Sequence, residues 1–148
     1  MPDYQKELID DRLNTAKERI RAAKLLLDAG NYRDSIGRSY YAMFSALRAM
    51  LALDLVDFNK QTGVIDYFRR AYILTGMMKE EYYQYIEDAF QIQYDCDYKD
   101  FFPVPKESAV EYYKKGQQFV KAIEKYLSKA VEEQREYDLS ILRNMKEL

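Results

Sequence analysis

The sequence predicts an all-α protein, an up-down bundle of four to five helices. Three observations carry this. Apolar residues recur at spacings of three and four through nearly all of the 148 residues, the mark of helices that each bury one stripe. Only 5 Gly and 3 Pro are present, few for the many turns of an all-β fold. The connections between periodic stretches are short, which favours antiparallel neighbours. With 48% hydrophobic and 32% charged residues, a packed core is feasible in one domain of this size.

The first helix is expected near 5–29, with Ile9, Leu13, Ala16, Ile20, Ala23 and Leu27 inward. Gly30 suits its left-handed end and Asn31 can N-cap the next helix, near 32–53. Residues 54–59 read as a connection. A shorter third helix, 61–75, turns Ile65, Phe68 and Tyr72 inward and stops at Gly76. The fourth spans about 79–94, with Ile86, Ala89, Phe90 and Gln93 on one side. A loop over 95–104 is punctuated by Pro103, and the fifth helix starts near Pro105, where a first turn tolerates proline. Its stripe is Ala109, Tyr113, Gly116, Val120, Ile123 and Leu127. Gly116 costs about 1 kcal/mol against Ala within a helix, so it is expected to mark a close backbone approach. Residues 1–130 read as the bundle. Residues 131–148 read as a continuation of the last helix, a partner-binding arm or a frayed tail.

Composition narrows the chemistry. Net charge is −2, and residues 51–100 hold five basic groups against ten acidic ones. Bulk cationic attraction to nucleic acid or membrane is therefore not expected. The chain has no His, which removes imidazole acid/base work, His-ligated metals and Ser-His-Asp triads together. One cysteine, Cys96, allows no internal disulfide and fits a reducing compartment. No apolar run approaches the roughly 18 residues of a membrane span. The N-terminus lacks the basic and apolar stretches of a signal peptide. A cytoplasmic location is the expectation.

The second helix carries the functional information. At about 100° per residue, Ile36, Tyr40, Met43, Phe44, Leu47 and Leu51 form a large apolar face. Ser35, Ser39, Ala42, Ala46 and Ala49 form a second face of small side chains, which lets another helix come close. Asp34, Arg38, Tyr41, Ser45 and Arg48 form a third. Such a helix is central in the bundle or sits at a subunit interface. The third face has two readings. It is a solvated surface with an Asp34–Arg38 ion pair at i,i+4, or a cleft that uses two guanidinium groups for phosphate or carboxylate. Arg48 has no acidic neighbour three or four residues away.

The run Arg38-Ser39-Tyr40-Tyr41-Ala42-Met43-Phe44, within 32–51, resembles the core helix of HEPN domains (higher eukaryotes and prokaryotes nucleotide-binding). Asp97-Tyr98 followed by Asp100-Phe101-Phe102 resembles the segment after that family's fourth helix. The resemblance covers about residues 5–130. It implies a small helical bundle, a homodimer, and either a toxin partnered with a minimal nucleotidyltransferase or a metal-independent RNase. The family's active motif is an Arg followed after four to six residues by a His, with two motifs meeting across the dimer. Arg38 matches the Arg; the His position falls on Ser45.

Seven residues is close to two turns, so Arg38 and Ser45 share one face about 10 Å apart along the axis. A serine hydroxyl does not titrate near neutral pH, and no imidazole elsewhere can activate it. RNase chemistry is therefore expected to be weak or lost, since losing a general acid/base lowers rates roughly 10²–10⁴-fold. The resemblance leaves three functions open. One is a regulatory protein partnered with a nucleotidyltransferase, as in toxin-antitoxin systems. The others are an altered RNase using Arg38, with Arg48 or Tyr41 on phosphate, and a nucleotide-binding helper. The phosphate-binding set is Arg38, Tyr41, Ser45, Arg48 and Asp34.

Other features are weaker. Asp95, Asp97 and Asp100 lack an EF-hand frame and have Lys99 among them, so neither a metal nor a cofactor is expected. They read as solvated acids that pack Tyr98 and Phe101 against the bundle. The aspartates flanking Cys96 should raise its thiol pKa. The 15 tyrosines cluster at Tyr40 and Tyr41, at Tyr82, Tyr83 and Tyr85, and at Tyr112 and Tyr113. They read as core-edge packing or as an aromatic interface.

Overall fold

A computed structural model describes residues 1–146. It contains α1 (Asp3–Asp28), α2 (Tyr32–Asp54), α3 (Gln61–Phe68), a π-helical turn (Arg69–Ile73), α4 (Glu80–Tyr98) and α5 (Lys106–Lys146). No strand occurs among the described residues. The expected all-α bundle is the fold.

α2 is the central rod, packed against each of the other four helices. Its apolar and small faces explain this. Ile36, Tyr40, Met43, Leu47 and Leu51 are buried, and so are Ser35, Ser39, Ala42, Ala46 and Ala49. The small face receives α1 and α5. Ser35 Oγ donates to Ala23 O at 2.8 Å. A Cβ on Gly116 of α5 would lie 2.9 Å from Ile20 Cδ1 of α1 and 3.6 Å from Ser39 O of α2. The glycine lets three helices meet. Gln5 adds a capping device, donating to Ala52 O and Leu53 O at 3.2 and 2.9 Å. These are carbonyls left open at the end of α2.

Several boundaries differ from the sequence reading. Gly30 (φ +80) and Gly76 (φ +78) do end helices in the left-handed conformation. Asn31 occupies the N-cap position without a side-chain cap bond. The third helix does not run unbroken to 75. Its α ladder gives way after Phe68 to a π turn, in which Leu74 N–H donates to Arg69 O at 2.9 Å. This wider turn accompanies Tyr72, which is buried with its hydroxyl on Asp54.

α4 continues to Tyr98 where a loop was expected from 95. Its acidic last turn is neutralised locally: Gln91 donates to Asp95, Gln93 to Asp97, and Lys99 pairs with Asp95. Arg33 then donates to Cys96 O at 2.6 Å and Phe102 O at 2.7 Å. A cation there suits the negative end of a helix dipole.

Of the three readings for the last residues, the described part continues α5, a rod about 60 Å long for its 41 residues at 1.5 Å each. Nothing after Gly116 breaks it, since neither Gly nor Pro follows. Beyond Val131 it is largely exposed, and Asp138 meets the Met1 ammonium.

Candidate functional site

The third face of α2 borders a furrow of about 550 Å³ between α1, α2 and α4, lined by Asp34, Arg38 and Tyr41 among others. Ser45 and Arg48 line an adjoining hollow of about 220 Å³ against α1. The predicted row thus stays on one side of the molecule but is divided in two. Arg19 of α1 is the dividing wall and lines both spaces.

The sequence reading missed Arg19 and Arg12. Both lie on the edge of the buried stripe of α1, within about 60° of Ala16 at 100° per residue. A charge at a core edge was the available signal. Arg19 donates to Tyr41 O at 3.3 Å and to Ser45 Oγ, with its guanidinium 5.8 Å from the centre of the Tyr41 ring. Arg12 donates to Arg48 O at 2.8 Å. α1 therefore presses two guanidinium groups against a helix face that already carries Arg38 and Arg48.

The electrostatics follow from that crowding. Burial, then Arg38 and Arg48, hold the Arg19 guanidinium below the ordinary arginine value. Burial and Arg48 do the same for Arg12. The Asp34–Arg38 ion pair expected from i,i+4 spacing is absent. Among the described residues, no carboxylate pairs with Arg12, Arg19, Arg38 or Arg48. The furrow's own acids are Asp34 and Asp97, and Asp97 accepts from Gln93 Nε2 at 3.1 and 3.2 Å. Concentrated positive charge thus sits on a chain whose net charge is −2. Such a furrow favours an anion with oxygen acceptors, which the planar guanidinium fork suits.

Ser45 is only 4% exposed and its hydroxyl is held by Arg19. It anchors a cation and has no base beside it. Arg33, also at the furrow, is occupied with one carbonyl in the last turn of α4 and one in the loop that follows it.

Three further readings meet the structure here, and the first is overturned. Tyr98 and Phe101 do not pack against the bundle; they are 72% and 102% exposed. The segment is held by Arg33 and its backbone instead. The tyrosines at 82–85 and 112–113 lie at the core edge, the first of the two readings given for them. Tyr82 packs edge-on to Tyr85 and Phe119, and Tyr85 reaches Gln118. The Cys96 thiol is raised as expected, but burial is the larger cause and the flanking aspartates are secondary.

Among the described residues, no three His, Cys, Asp or Glu side chains gather as metal ligands would, and no helix is long and apolar enough to cross a membrane.

Comparison with known proteins agrees with this architecture. The HEPN domain model matches residues 9–126. Two Methanocaldococcus jannaschii proteins, each named "Putative toxin", are similar to the chain. One is 28% identical over 84% of this chain and 84% of its own, the other 30% over 82% and 90%. A UPF0332 protein of Thermotoga maritima is 28% identical over 83% of this chain and 93% of its own.

Proposed function

This chain belongs to the HEPN domain family, and from that premise we propose that it is a toxin-like regulatory protein whose arginine furrow holds the phosphodiester backbone of RNA without cutting it efficiently. One observation carries the reading. Ser45, where the resemblance to the family motif counted from Arg38 would put an imidazole, is buried and held by Arg19. The furrow keeps the groups that bind phosphate. It lacks a group that exchanges protons near neutral pH.

The row favours a strand over a single phosphate. Arg38 and Arg48 lie ten residues apart, about 15 Å along the helix axis, so one phosphate group does not reach both. The expected partner is a minimal nucleotidyltransferase, and the expected state is a homodimer that brings two furrows together. The toxin names of two relatives suit such a system.

The test measures binding and cleavage of a single-stranded RNA by wild type, Arg38→Ala and Ser45→His. Wild type should bind with strong salt dependence and cleave no faster than background, and Arg38→Ala should bind weakly. Robust cleavage by wild type that disappears in Arg38→Ala would replace this reading with an altered RNase. A nucleotide-induced rise in melting temperature without RNA binding would favour a nucleotide-binding helper. Co-expression with a minimal nucleotidyltransferase encoded beside it should give a stable complex.

A further inference from the structure

We propose that the aromatic pocket at the α4 edge of the furrow, faced by Tyr94 and Tyr98, stacks a nucleobase of a bound single-stranded RNA. This rests on the furrow reading above and names what lies beside the phosphates.

The pocket holds about 190 Å³ between α2, α3 and α4. It shares Tyr41, Gln93 and Asp97 with the arginine furrow, so the two spaces adjoin. It is smaller than the roughly 300–1,000 Å³ of sites that enclose a whole small molecule. It suits one planar group entering from a ligand anchored next door.

Tyr94 and Tyr98 are one turn apart on α4, with ring centres 4.6 Å from each other. They are 50% and 72% exposed, whereas Tyr40, Tyr72, Tyr82 and Tyr85 pack into or against the core. Keeping two large rings together in water has no packing benefit to the bundle. Rings beside a cationic groove are what a sequence-tolerant strand binder uses, because every base offers a π-face.

The polar groups around the rings fit the edge of a base. Tyr40 donates to Gln61 Oε1 at 2.6 Å, and the Gln61 amide nitrogen has no acceptor among the described residues. Gln93 is tethered by its nitrogen to Asp97, while its buried Oε1 has no donor. That oxygen lies 3.1 Å from where a Cβ on Gly37 would stand, so the absent side chain makes room for the amide. One unpaired donor, the Gln61 amide nitrogen, therefore borders the aromatic walls; the Gln93 oxygen is shielded beside Gly37 and meets a base only when the amide swings out.

The experiment is fluorescence anisotropy with two labelled oligoribonucleotides of equal length, one ordinary and one abasic over its central positions. Each is titrated with wild type, Arg38→Ala and the double variant Tyr94→Leu/Tyr98→Leu. The double variant should lose about tenfold or more in affinity for the ordinary strand, keep wild-type affinity for the abasic strand and melt at the wild-type temperature. Arg38→Ala should weaken both strands. Equal loss of the two strands in the double variant, or no loss of either, would overturn the stacking site while leaving the furrow intact. A change in oligomeric state with RNA binding unaltered would assign the tyrosine pair to a protein contact and overturn it as well. Indifference of both strands to Arg38→Ala would sink the furrow reading itself.

Discussion

α2 carries polar clusters at two places, and they are built in opposite ways. At its C-terminal end, Asp54 accepts hydroxyl donations from Tyr67 at 2.8 Å and Tyr72 at 2.5 Å. Tyr72 also packs edge-on to Tyr67 and Tyr126. Burial, followed by Asp54, pushes the Tyr67 hydroxyl up to about 12, and raises Tyr72 further. In this cluster the acceptor and both donors are satisfied. Along the middle of the same helix, cations gather with no carboxylate of the described residues in ion-pair contact, and the buried serine is bonded to one of them. A closed network of the first kind holds a fold together, because each buried polar group already has a partner. An open one costs stability through like-charge repulsion, and a bound polyanion offsets that cost. The contrast separates a structural polar site from the one proposed to bind.

The sharpest way to break the contrast is to open the closed cluster. Asp54→Ala leaves two tyrosine hydroxyls without their acceptor and should cost about 2–4 kcal/mol of stability. Chemical denaturation measures the loss, and RNA affinity should survive wherever the variant is folded. Arg38→Ala should do the reverse. About a tenfold loss in RNA affinity, near 1.4 kcal/mol, is expected with an unchanged melting temperature. The salt dependence should soften too, by about 0.7 in the slope of log affinity against log salt for each phosphate contact removed. A melting temperature that falls as far in Arg38→Ala as in Asp54→Ala would erase the distinction.

Alkali probes the closed cluster together with the Tyr40 and Tyr112 hydroxyls, which burial also raises, so the Tyr67 variant isolates the cluster's share. A hydroxyl whose pKa is higher in the folded chain than its ordinary 10.0 favours folding while protonated. That contribution is complete below about pH 10 and is lost as pH climbs toward 12. Urea midpoints should fall across that window, and Tyr67→Phe should flatten the fall. The smallest effect concerns α5. Ending the chain at residue 130 removes mostly exposed helix and the Met1–Asp138 contact, so stability should change by no more than about 0.5 kcal/mol. A larger loss would make residues 131–148 part of the bundle.

Much of this was legible in the residue order. Period 3.6 gave the helices, and the three faces of α2 placed it at the centre. Gly116 announced the close approach that α5 makes to Ile20 and Ser39. The absence of His, read against Arg38 and Ser45, stated which chemistry is missing before any fold was known. The end of α4 was not legible, because its extra turn depends on Arg33, more than sixty residues away. The Asp34–Arg38 pair failed for a related reason. Spacing brings two side chains within reach but does not make them meet.

The sequence by itself determined the helical class, the burial pattern of the central rod and the absence of any imidazole. These depend on local periodicity and residue chemistry, which are written in consecutive positions. Only the tertiary structure decided that Arg12 and Arg19 lean against α2, that Ser45 serves a guanidinium, and that Tyr94 and Tyr98 stand clear of the core. Those facts depend on which faces of distant helices come together, and packing alone sets that.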